Sequence, residues 1–115
     1  MATTWDSIVG CATELPKVEV STSYNTPALK VAGKLIARLR TEAEGGLMVM
    51  CSLDEKAALL DSGDAAFYTT PHYHGHGSIL VDLDRVDPAE LEELVIEAWR
   101  SKASKTVREQ YDKTH

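Results

Sequence analysis

No apolar run in this sequence approaches the roughly 18 residues that a membrane-spanning helix needs; polar or charged residues interrupt every hydrophobic stretch. The N-terminus, Met1-Ala2-Thr3-Thr4-Trp5-Asp6, has neither the basic start nor the apolar stretch of a secretory signal. These absences predict a cytoplasmic protein with no membrane partner. Cysteine is scarce too, with only Cys11 and Cys51. A reducing compartment disfavours a disulfide between them, and two thiols alone cannot complete a zinc site. Both lie in apolar segments, which predicts buried thiols that behave as small hydrophobes.

Chemical motifs are missing as well. There is no P-loop and no dinucleotide fingerprint, and Gly75-His76-Gly77 lacks the strand–turn–helix setting that gives a glycine loop its meaning. A cysteine paired with a loop histidine would need proximity and a third, orienting group, and neither can be read from the sequence. The expectation is a non-enzymatic protein without a cofactor. Positive charge is in the minority, with 12 Lys and Arg against 18 Asp and Glu and a net charge of −6. That balance opposes indiscriminate binding to nucleic acid, which depends on neutralising phosphates.

What is present fits one domain. A chain of 115 residues with 43% hydrophobic residues can bury a real core without staples. Trp5, Ile8, Val9, Ala12 and Leu15 recur at helical spacing after Thr3 or Thr4 as cap, and Pro16 stops the helix. Val18–Tyr24 alternates and predicts a strand. Residues 28–31 and 35–40 predict two strands of a hairpin around Ala32-Gly33-Lys34. Simple alternation places Leu35, Ala37 and Leu39 on one face of the second strand, and Ile36, Arg38 and Arg40 on the other.

Glu42–Gly46 reads as a turn and Leu47–Cys51 as a central strand. Ser52 and Glu55 open a short helix carrying Ala57, Ala58, Leu59 and Leu60. Phe67–Thr70 and Ile79–Leu83 predict further strands, with a histidine-rich loop between them. Asp87-Pro88-Ala89-Glu90 sets cap, N1 proline and N3 glutamate for a helix whose stripe is Leu91, Leu94, Val95, Ala98 and Trp99. Residues 1–104 are expected as a single domain and 105–115 as a frayed or mobile tail. Strands joined by hairpins, interrupted by helices, argue for an α+β fold: a two-layer antiparallel sheet flanked by N-terminal, middle and C-terminal helices.

Three stretches carry a likeness to a known family. Residues 23–37, Ser23-Tyr24-Asn25-Thr26-Pro27-Ala28-Leu29-Lys30-Val31-Ala32-Gly33-Lys34-Leu35-Ile36-Ala37, are similar to the S-Y-x-T-P-A-x-K-V-x-G-K-x-x-A stretch of the MmcQ/YjbR family. Thr70-Pro71-His72-Tyr73 with its following glycines, and Val81–Asp84 with Ala98-Trp99-Arg100, resemble later signatures of that family in the same order. The resemblance implies a frataxin (CyaY)-like or secretion-chaperone-like fold and DNA as a partner. It brings no catalytic residues.

Three candidate sites follow from the residues. Lys30, Lys34, Arg38 and Arg40 form a basic hairpin without an acid, and Arg100, Lys102, Lys105, Arg108 and Lys113 form a basic C-terminal segment. Together they could hold nucleic-acid phosphates, or be solvated faces obeying the helix-dipole preference. Tyr24, Phe67, Tyr73 and Trp99 could instead line a pocket for a small molecule or a protein partner, with no nucleic acid involved. His72, His74 and His76 alternate; extended backbone would point all three imidazoles one way, towards a metal ion or a proton-linked switch. The competing reading of the histidines is a polar loop with no metal.

Overall fold

The computed structural model describes residues 3–23, 25–41 and 45–114. Tyr24 and most of the expected 42–46 turn lie outside the described residues. Thr4 caps α1 (Trp5–Ala12) in a reciprocal capping box with Ser7. Six strands follow: β1 (Val18–Ser23), β2 (Thr26–Val31), β3 (Lys34–Leu39), β4 (Leu47–Met50), β5 (Phe67–Tyr68) and β6 (Ser78–Val81). They form one antiparallel sheet in the order β1-β2-β3-β4-β6-β5. Helix α2 (Leu53–Asp61) separates β4 from β5, and α3 (Pro88–Lys102) and α4 (Lys105–Thr114) close the chain. The fold is therefore α+β, as the sequence predicts.

Local chemistry explains the joints. Ala32 and Gly33 both have positive φ, 50° and 80°, which is what a two-residue turn matching the twist of β2 and β3 requires. The side chain of Asp87 accepts from the Glu90 amide at the start of α3, with Pro88 in the first turn.

The two faces of the sheet differ sharply. Leu29, Ala37, Val49 and Ile79 stand opposite one another across four strands, fully buried against the helices. Trp99 of α3 packs into the same core, donating its indole N–H to the carbonyl of Pro16 at 2.9 Å. Ala28, Arg38, Met48, Leu80 and Tyr68 form the neighbouring row, on the opposite face.

The register of β3 corrects simple alternation. Leu29 opposes Ala37, yet Lys30 opposes Leu35, so Ile36 is an extra residue in a β-bulge. The extra residue lets Ile36 join Ala37 in the helix-side core. Leu35 turns to the other face and packs with Met48, Tyr73 and Leu80 beside Arg38.

Two other expectations change. Helix α2 buries Lys56 rather than its alanines and leucines, and leaves Leu53 at 56% exposure. Residues 105–114 are not a frayed tail but a helix. Its Tyr111 ring meets Trp99 edge-on at 5.0 Å, and Asp112 pairs with Arg100 at 2.8 Å. No helix among the described residues is long and apolar enough to cross a membrane.

Candidate functional site

The loop after β5 crosses the helix-free face of the sheet. It begins with a single 3-10 turn, Pro71–Tyr73, started by a proline whose fixed φ suits that position. Tyr73 comes down onto Met48 and Leu80 and is buried there. Two arginines of the hairpin organise around its ring. Arg38 donates from Nη2 to the Tyr73 hydroxyl at 2.9 Å and from Nη1 to Thr26 Oγ1 at 3.2 Å. Arg40 lays its guanidinium over the ring, 5.6 Å from the centroid, and donates to the Tyr68 hydroxyl at 3.4 Å. Tyr68 in turn lies so close to Gly46 that a Cβ there would come within 2.5 Å of its hydroxyl oxygen; with φ at 80°, the position demands glycine.

Lys56 fixes the loop from the side of α2. Its ammonium is buried and donates to the carbonyls of Tyr73 and His76, the second at 2.9 Å. A buried cation needs such partners, and carbonyl oxygens at a loop are suitable ones. His76 also shares a hydrogen bond between Nδ1 and Ser78 Oγ at 2.7 Å.

Between this loop and the end of the hairpin lies a concavity of about 660 Å³. Leu35, Met48 and Met50 give it apolar surface. Lys34, Arg38, His72, His76 and Lys102 supply cationic or titratable groups, with Tyr73 and Thr41 completing the lining. Volume and mixed lining both lie in the ordinary range of ligand sites. Of the cations expected from the sequence, Arg38 and Lys34 line the concavity, Arg40 packs beside it on Tyr73, and Lys30 stands further out, opposite Glu19. Lys102 comes from the C-terminal basic segment. Arg38 is only 6% exposed, so it is a constituent of the site and not of a projecting basic ridge.

The aromatic pocket is not assembled as expected. Trp99 is fully buried and Phe67 nearly so, both in the helix-side core, whereas Tyr73 sits on the opposite face; Tyr24 lies outside the described residues. Nor do the three histidines line up. The 3-10 turn breaks the alternation, so His72 and His76 face the concavity while His74 faces a separate hollow with Thr69 and Pro71. Among the described residues, no three His, Cys, Asp or Glu side chains gather as a metal set would.

Both cysteines are half-buried and unbridged. Burial pushes the Cys51 thiol up to about 11, helped by Glu55 and opposed by Lys56. Burial, then a hydrogen bond to Glu92, pushes Cys11 up to about 11. Such thiols stay protonated and are poor nucleophiles at neutral pH.

Sequence reasoning missed Lys56 and the sulfur-lined floor. Lys56 left no signal, since a lysine in a short helix ordinarily points to water. Met48 and Met50 alternate with buried Val49, and that period-two spacing was the legible sign of a second, partly open face.

A family model described as YjbR matches residues 13–101 of the chain. Uncharacterized proteins of Mycobacterium bovis and Mycobacterium tuberculosis are 30% identical over 86 residues, covering 72% of this chain and 67% of theirs. No solved structure matches it.

Proposed function

This chain belongs to the YjbR family, and from that premise we propose that it is a non-enzymatic DNA-binding protein that takes phosphates on the helix-free face of its sheet. The observation that supports this best is the convergence of Lys34, Arg38 and Lys102 on one concavity, with Lys30 and Arg40 on the same side of the hairpin. Acidic side chains instead crowd α3, which lies against the other face: Glu90, Glu92, Glu93 and Glu97. A chain of net charge −6 repels a polyanion over most of its surface. A segregated basic face gives that repulsion a direction and orients the encounter. Phosphate contacts of this kind position a strand without reading its sequence.

Fluorescence anisotropy of labelled DNA, titrated across salt concentrations, tests the proposal. Binding at low salt should weaken steeply as salt rises, through counterion release. Lys34→Gln and Lys102→Gln should each reduce the salt slope by about 1. No binding at about 50 mM salt, or binding indifferent to both substitutions, overturns it.

The concave shape of the site and its mixture of apolar and cationic lining favour a second reading, a site for a small anionic molecule with no nucleic-acid partner. Calorimetric titration with inorganic pyrophosphate, alongside an oligonucleotide that fails to bind, would support that reading over the first.

A further inference from the structure

We infer that the concavity takes one unstacked nucleotide, so that the protein holds single-stranded DNA in preference to duplex. The inference rests on the DNA-binding reading and narrows it. Its first ground is the depth of Arg38. Arg38 is 6% exposed as a residue, its guanidinium is tied to Thr26 and Tyr73, and it lines the concavity, so a ligand reaches it by entering there. Duplex DNA keeps its bases stacked and delivers none into a pocket unless one is flipped out at a cost of a few kcal/mol. A single strand carries no such cost beyond unstacking.

The second ground is the floor. A site for phosphate alone has no use for Met48 and Met50, yet both line this one. Thioether side chains are polarizable and adaptable, and pack against the face of any base. The exposed ring of His72 stands at the same concavity, edge-on to Tyr73 at 5.0 Å, where a base can stack on it. Lys34 and Lys102 complete the arrangement with two cations for the phosphate attached to that base. Apolar floor, stacking ring and cations in about 660 Å³ match the parts of a nucleotide, and nothing among them reads base identity.

The test uses one labelled oligothymidylate, alone and annealed to oligoadenylate, with anisotropy as readout and methyl NMR of Met48 and Met50 as locator. The single strand should bind at least about five-fold more tightly than the duplex and shift both methyl resonances, while the duplex leaves them in place. His72→Ala should weaken single-strand binding by about five-fold or more. Its ring is exposed but meets the buried Tyr73 edge-on, so an unchanged denaturation midpoint beside the weakened binding shows that the fold is retained. Equal affinity for strand and duplex, or single-strand binding with both methyl resonances unmoved, overturns the single-nucleotide inference and leaves DNA binding standing. Failure of both probes to bind overturns the DNA-binding reading itself.

Discussion

Arg38 on β3 and Tyr73 in the loop after β5 share a hydrogen bond of 2.9 Å across 35 residues of sequence. It is one of the contacts that fix the loop to the sheet at a particular height. Tyr73→Phe removes the acceptor while keeping the ring on Met48 and Leu80. Because the donor is a buried guanidinium, the expected loss is about 1.5–3 kcal/mol of unfolding free energy, read from urea denaturation. A double-mutant cycle with Arg38→Met should return a coupling energy of about 1–3 kcal/mol.

Lys56 holds the far end of the same loop. Lys56→Met keeps the aliphatic stem and withdraws the donor from the carbonyls of Tyr73 and His76. The expected cost is about 2–3 kcal/mol, since two acceptors lose a charged partner. Hydrogen exchange should rise across residues 73–78 by more than it rises in β2 or β3. A uniform rise over the whole chain would mean that the contact supports global stability only.

Thiol chemistry gives a separate check. With both cysteines pushed up to about 11 from an ordinary 9.0, their thiolate fraction at neutral pH is about a hundred-fold below that of a free thiol. Alkylation at pH 7 should therefore be slow for both and become fast in denaturant. Raising the pH in the folded state should accelerate it, because deprotonation lies at the alkaline end.

Tyr111 ties α4 to the domain through Trp99. Tyr111→Ala should cost about 1–2 kcal/mol and leave α4 without its main aromatic contact. Limited proteolysis would then cut after α3 in the variant and not in the parent chain. Unchanged stability and unchanged cleavage would mean that α4 contributes nothing to the core.

The sequence made most of the architecture legible where one signal dominated. The Asp87-Pro88-Ala89-Glu90 start and the stripe from Leu91 to Trp99 announce α3, because cap chemistry and period agree. Ala32-Gly33 announces its turn through the conformation that it needs. The site was legible only in part. Lys34 and Arg38 are in it, but alternation sets Ile36 beside Arg38, whereas the bulge sends Ile36 to the core and brings Leu35 to Arg38's face, which no local pattern foresees. Extended backbone would point His72, His74 and His76 one way, but Pro71 starts a 3-10 turn there instead. Helix α4 has few apolar residues, and its anchoring depends on Tyr111 meeting Trp99, a contact set by tertiary placement and not by local pattern.

The bulge has a consequence for how this chain tolerates change in length. Ile36 is the unpaired residue of the interval, so the pairs on either side of it are in register with the same partner strand. Removing it would restore regular pairing and leave Arg38 opposite Ala28 on the helix-free face. What would be lost is a fully buried side chain beside Ala37. A deletion here would therefore be felt as a hole under the helices and not as a reversal of the strand. The surplus residue lets one short strand hand two successive side chains to the oily side of the sheet while its arginine keeps to the charged side.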